Sequence, residues 1–152
     1  MAIEIERKFL VEGTDWRTAD PTYICQGYLN RDKERTVRIR VFGEQARITI
    51  KGISVGASRA EFEYWIPMED GKQMLQLCES PLIEKNRHTV KFRNKLWEID
   101  EFLGANQGLI VAEIELNSED EPFEFPPWVG QEVTDDPKYF NSKLSIHPFS
   151  NW

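Results

Sequence analysis

The sequence predicts a mainly β (α+β) fold: an eight-stranded antiparallel β-barrel, closed on itself, with a few covering helices. Three observations predict it. Eight segments alternate with period two, so each presents charged side chains on one face and branched apolar ones on the other. The charges are sorted by sign from strand to strand, whereas a solvated face mixes them. Only Met68–Cys78 carries convincing helical spacing, through Met74, Leu75 and Cys78. An open sheet would leave the charged face in water. Closing eight antiparallel strands instead turns it inward around room for a small ligand. The helix and an aromatic-rich C-terminal region are then expected to cover the apolar outside.

Each element follows from local pattern. In Ile3–Val11, Glu4, Glu6 and Lys8 share one face and Ile3, Ile5 and Phe9 the other. Glu12-Gly13-Thr14-Asp15 reads as a turn, and Tyr23–Leu29 as the second strand. Arg35–Phe42 alternates cleanly, with Arg38 and Arg40 opposite Val37, Ile39 and Val41. Gly43-Glu44 suits a tight hairpin into Ala46–Lys51, where Arg47, Thr49 and Lys51 share a face. Ser58–Ile66 groups Arg59, Glu61 and Glu63, and Pro67 stops it. Leu82–Phe92 groups Lys85 with Arg87, and the turn Arg93-Asn94 leads to Leu96–Phe102, which groups Glu98 with Asp100. Leu109–Leu116 is the eighth strand, with Glu113 beside Glu115. The rest, from Asn117 to Trp152, is expected to wrap the strands as loops and one short helix after Asp135-Asp136-Pro137.

At 152 residues, 40% hydrophobic and 30% charged, residues 1–152 suit one globular domain with a core. A net charge of -7 supplies no global field toward nucleic acid or anionic lipid. The two cysteines, Cys25 and Cys78, lie far apart in sequence and read as packing residues; His88 and His147 are isolated. The chain opens on a charged strand without a secretory apolar region, and no apolar run approaches the length of a membrane helix. A cytoplasmic protein with reduced thiols is expected. A membrane barrel also has a polar lumen, but Arg7 interrupts the apolar face and the helical insertion fits it poorly.

The charges carry the chemistry. Two carboxylates two residues apart on one strand face stand about 7 Å apart at the backbone, close enough to reach one hard cation or two neighbouring ones. A single such pair is explained as well by an exposed strand face. Three recur, at Glu4/Glu6, Glu61/Glu63 and Glu113/Glu115, with Asp100 expected nearby. Cations pair at Arg38/Arg40 and Lys85/Arg87, with Lys8, Lys51 and Arg59 added. Each cation alone reads as a surface ion pair worth about 0–1 kcal/mol. As a set lining one lumen, they suit a polyanion beside a metal.

In this order, Glu4-x-Glu6-x-Lys8, Arg38-x-Arg40, Lys51-Gly52, Glu61-x-Glu63, Lys85-x-Arg87, Asp100 and Glu113-x-Glu115 resemble the triphosphate tunnel metalloenzyme family, whose domain is called CYTH. The resemblance spans nearly the whole chain. It implies an eight-stranded tunnel through which a triphosphate threads, a divalent metal on its acidic side, and cleavage of a phosphoanhydride at the terminal phosphate, or at the alpha phosphate in the cyclase branch. The expected phosphate ligands are Arg38, Arg40, Lys51, Arg59, Lys85 and Arg87, with Lys8, Arg47 and Lys143 as additions. Glu4, Glu6, Asp100, Glu113 and Glu115 are expected to serve Mg2+ or Mn2+; magnesium takes only one or two carboxylates, so these are not all ligands of one ion. Glu61 and Glu63 are expected to hold a second metal or to orient the attacking water, with Lys8 positioning water or touching phosphate. The compact chain resembles small bacterial members that hydrolyse inorganic tripolyphosphate. A nucleoside or thiamine triphosphatase, a class IV type adenylyl cyclase and a non-catalytic polyphosphate-binding module remain alternatives. A homodimer is expected if the apolar outside stays uncovered.

Overall fold

The structure, a computed structural model, describes residues 3–152, so the first two residues of the expected domain lie outside the described ones. Among the described residues nine strands and two α-helices form. They are β1 (Ile3–Val11), β2 (Thr22–Asn30), β3 (Arg35–Phe42), β4 (Gln45–Gly52), β5 (Ser58–Ile66), α1 (Met68–Leu77), β6 (Glu79–Phe92), β7 (Lys95–Phe102), β8 (Ile110–Glu115), β9 (Val129–Glu132) and α2 (Asn141–Leu144). The sheet order is β5-β4-β3-β2-β6-β7-β8-β1-β9, and β5 pairs back onto β1. Eight antiparallel strands therefore close a barrel. The seam is short: Ile3 faces Ala60, Glu4 faces Arg59 and Ile5 faces Ser58.

Two hairpins hold the register through turn chemistry. Gly43 has φ 59°, the left-handed first position of a type II′ turn, and Arg93 and Asn94 both have positive φ, as a type I′ turn demands. With the register set, parity decides which side chains enter the lumen.

Several expectations need correction. β9 was absent from the sequence reading. It pairs with β1 at Phe9 and Val11, on the edge that β5 occupies nearer the N-terminus. β6 begins at Glu79 rather than Leu82, running through Pro81, and α1 ends at Leu77. After Asp136 the chain makes a 3-10 turn, Pro137–Tyr139, before α2; the Asp136 carboxylate accepts a hydrogen bond from the Lys138 backbone N–H.

The outside of β1, β7 and β8 is covered by a cluster of Phe9, Trp16, Trp97, Ile99, Ile114 and Trp128, with Phe123 packed against it. Burying such side chains stabilises by about 1.5–3 kcal/mol each. Arg7, the charge on this face, stacks its guanidinium over Phe123 and pairs with Glu132 at 2.6 Å. α1 covers β3 and β4, with Gly71 buried against Ala46. Ile3, Ile50, Phe62 and Tyr64, on β1, β4 and β5, stay exposed.

A second cluster positions the site. Leu10, Ile83, Phe102 and Val111 continue the lumen-facing parity of their strands, yet they pack with Val133, Tyr139 and Leu144. One end of the barrel is therefore filled with apolar side chains and stoppered by the C-terminal segment. The lumen is polar only above that plug.

Candidate functional site

Above the plug lies a cavity of about 240 Å³. Glu4, Glu6, Lys8, Arg38, Arg40, Arg47, Lys51, Arg59, Glu61, Glu63, Lys85, Arg87, Glu113 and Glu115 all line it. Glu98, Tyr28 and Thr36 join them from the strands, and Thr134, Phe140, Asn141 and Ser142 from the C-terminal segment. Asp100 is 1% exposed and sits behind the wall. Lys143 is exposed and is not on the wall, whereas its neighbours Asn141 and Ser142 are. Glu4, Arg38, Arg40, Lys51, Lys85 and Glu113 are buried; Glu63 and Glu115 lie at the exposed rim.

Around the barrel the walls form two arcs. Glu98, Glu113, Glu115, Glu4, Glu6 and Glu61 come from β7, β8, β1 and β5, while Arg47, Lys51, Arg38, Arg40, Lys85 and Arg87 come from β4, β3 and β6. Ion pairs stitch the boundaries. At β5/β4, Lys51 Nζ lies 3.4 Å from Glu61 and Arg47 3.2 Å from Glu63. At β6/β7, Arg87 and Lys85 each lie 2.7 Å from Asp100, and Arg87 also pairs with Glu98 at 3.2 Å. Asp100 is thus committed on both oxygens.

Two cations stand within the acidic arc. Lys8 Nζ donates to Glu113 at 3.0 Å and lies 3.2 Å from Glu6; Arg59 lies 3.5 Å from Glu4. Burial and then the Glu113 charge push the Glu6 carboxyl up to about 8. Burial would also raise Glu113, but Lys8, Arg87 and Lys85 hold it well below the usual carboxylate range. Burial and the Glu4 carboxylate raise Glu61 to about 7, while burial of Glu4 is outweighed by Lys51, Glu61 and Arg59 together, which hold it at about 2.

The basic arc is less neutralised. Burial, then Arg38 and Arg87, push Arg40 down to about 9, and burial does most to push Lys85 down to about 7 against the pull of Asp100. Arg38 Nε is buried with no hydrogen-bond partner among the described residues. An unpaired buried donor is costly, so its retention marks a place where an acceptor arrives.

Alternation in the sequence puts Thr36 on the face of Arg38 and Arg40 and leaves Tyr28 either turned into the lumen or in the core; both line the wall. Thr134, Asn141 and Ser142 carry no periodic signal. The whole arrangement, a closed eight-stranded barrel with facing acidic and basic arcs, matches a known architecture. The family model described as the CYTH domain matches residues 2–145. The chain belongs to the CYTH domain family. Two CYTH relatives are an inorganic triphosphatase of Acetivibrio thermocellus, 47% identical over 100% of this chain and 99% of its own, and an inorganic triphosphatase of Nitrosomonas europaea, 35% identical over 94% and 97%. The crystal structure of the inorganic triphosphatase NE1496 superposes with a TM-score of 0.68 at 33% identity, covering 96% of each chain.

CYTH membership implies a divalent cation, and the acidic arc fits one. No group of three or more His, Cys, Asp and Glu among the described residues forms a protein-only cage. Magnesium needs none, since it is held by one or two carboxylates, waters and substrate phosphates. Glu4, Glu6, Glu113 and Glu115, gathered on one cavity, are an oxygen donor set that a hard cation can occupy.

Proposed function

We propose that this CYTH protein hydrolyses inorganic tripolyphosphate to pyrophosphate and phosphate, with Mg2+ or Mn2+ as cofactor. One observation carries the reading: a buried basic arc, with Arg38 Nε unpaired among the described residues and Arg40 bonded to a neutral amide, faces clustered carboxylates across one cavity. A polyanion requires the first and a divalent cation the second. The two inorganic triphosphatases cover nearly all of this chain at 47% and 35% identity, which supports the substrate class.

In this reading Arg38, Arg40, Lys51, Arg59, Lys85 and Arg87 grip the phosphates, the guanidinium groups by paired donors and the lysines as point charges. Asp100 anchors Lys85 and Arg87 rather than meeting metal, and Lys143 falls outside the set. Glu4, Glu6, Glu113 and Glu115 hold the metal, which when bound neutralises phosphate charge and activates water. Glu61, poised near neutrality, takes the proton of the attacking water, with Glu63 beside it at the rim. Lys8, fixed between Glu6 and Glu113, orients the terminal phosphate. The water oxygen bonds to the terminal phosphorus as the bridging P–O bond breaks, and pyrophosphate leaves in line. Positioning and charge supply most of the rate. The protein acts in the cytoplasm on a small-molecule triphosphate. No helix among the described residues is long and apolar enough to cross a membrane.

The test is phosphate release from tripolyphosphate, ATP and thiamine triphosphate in parallel, with Mg2+, Mn2+ or chelator, for wild type and Glu6→Gln. Metal-dependent cleavage of tripolyphosphate above the others, lost in the variant, is expected. Preference for an organic triphosphate replaces the substrate. Tight binding without cleavage makes the chain a binding module.

A further inference from the structure

The basic arc contains a strand that carries no charge into the lumen. Between β3 and β6, β2 turns inward Gln26 and Tyr28, and Gln26 is fully buried. Gln26 Oε1 accepts from Arg40 Nε at 2.9 Å, while its Nε2 donates to Asn141 Oδ1 at 3.0 Å. The same Asn141 oxygen accepts from Lys85 Nζ at 2.9 Å, and Lys85 rests 2.7 Å from Asp100. An unbroken chain thus runs Arg40, Gln26, Asn141, Lys85, Asp100. It crosses from the barrel wall to the C-terminal plug and back.

The choice of amides matters physically. Arg40 and Lys85 repel each other, and both are buried. A carboxylate between them would hold both but cancel the charge a polyanion needs. An apolar side chain would leave a guanidinium donor buried without an acceptor. A carbonyl oxygen gives each side chain a fixed acceptor and adds no negative charge between them. A single guanidinium or ammonium held this way is pre-aimed, so binding spends less on ordering it.

We propose that Gln26 and Asn141 are positioning residues of the triphosphate site, whose side-chain amides bridge Arg40 and Lys85 and hold both aimed into the cavity without adding a negative charge between them. This rests on the reading of the lumen as a triphosphate site. It also gives the C-terminal segment a second role: besides filling the barrel end, it orients the basic arc through Asn141.

The experiment is a double-mutant cycle on the full chain. Gln26→Leu, Arg40→Ala and the double variant are compared by kcat and KM for tripolyphosphate, and by calorimetric affinity for tripolyphosphate with no metal added. Gln26→Leu is expected to lower kcat/KM and affinity about tenfold in the wild type, and less than twofold when Arg40 is already Ala. Gln26→Glu, which keeps an acceptor but cancels charge, is expected to raise KM with kcat held within a few-fold. Equal losses from Gln26→Leu in both backgrounds mean that Gln26 supports only the fold and overturn the proposal, as does wild-type behaviour of Gln26→Leu. If Gln26→Leu does not fold, Asn141→Ala against Lys85→Met gives the same cycle with the same two outcomes. If wild type binds tripolyphosphate without cleaving it, the hydrolase reading fails and the affinities alone decide the positioning role. If it does not bind, both fall.

Discussion

Lys51 Nζ lies 2.9 Å from Glu4 Oε2, although β4 and β1 share no edge and β5 runs between them. The contact spans the lumen boundary and ties a predicted phosphate ligand to a predicted metal ligand. In the free protein the ammonium stands where a cation would, and it holds Glu4 far below its ordinary pKa against the cost of burial. Replacing Lys51 with Met therefore has opposite effects on the two ligands. We expect KM for tripolyphosphate to rise about ten- to hundredfold, the size of one lost charge-assisted contact of about 1.5–3 kcal/mol. Mn2+ affinity, read by calorimetry without substrate, should stay equal or tighten because a competing charge is gone. Weaker Mn2+ binding in the variant would mean that the ammonium serves the metal site by keeping Glu4 ionised rather than competing for it.

Asp100 is the second test, this time of stability. Arg87 and Lys85 outweigh its burial and lower its pKa below that of the unfolded chain. A depressed carboxylate contributes stability above its unfolded pKa, near 4, and loses it as pH falls toward the folded value. Asp100→Asn leaves two buried cations without their anion, a loss on the order of 3–5 kcal/mol at neutral pH. Its melting temperature should lie well below wild type at pH 7, and the gap should narrow progressively below pH 4. A gap that is constant from pH 7 to pH 3 would contradict the assignment.

The contrast between Asp100 and Glu98 shows how far the sequence could be read. Alternation identifies the face of a side chain, and β3, β4 and β8 were legible for that reason. It does not give depth along a sheared barrel, so Asp100 and Glu98 look equivalent in sequence while one is 1% exposed behind the wall and the other lines the cavity. β9 is four residues long and exists because β1 has a free edge where β5 departs; no local pattern encodes that. On α2, charge drew attention to Lys143, but packing of Leu144 and Tyr139 into the apolar plug selects Asn141 and Ser142 for the lumen. A four-residue helix has too few turns to show a face.

Gly71 sets a limit on how α1 covers the barrel. A Cβ there would lie 2.5 Å from the Ala46 Cβ, nearer than real side chains approach. Gly→Ala inside a helix normally gains about 1 kcal/mol, whereas overpacking costs about 1–3 kcal/mol. The steric term should win. Thermal denaturation of Gly71→Ala is expected to show a lowered melting temperature, partly restored by adding Ala46→Gly. A raised melting temperature for the single variant would mean that α1 lifts away without loss.

Lys85 makes the last prediction, concerning protons taken up with the substrate. Burial does most to bring its pKa down to about 7, assisted by Arg87 and Arg40 and opposed by Asp100. A triphosphate beside it adds negative charge and drives the pKa up. At pH 8 the free side chain is mostly neutral and the bound one mostly protonated, so binding takes up close to one proton there. At pH 6 both states are protonated and the uptake vanishes. Calorimetric titrations in buffers of different ionisation enthalpy measure that number, and subtracting the values for Lys85→Met removes the titration of tripolyphosphate itself. The wild-type excess should grow from pH 6 to pH 8. An excess that is zero at both pH values would mean that Lys85 already carries its full charge in the empty barrel.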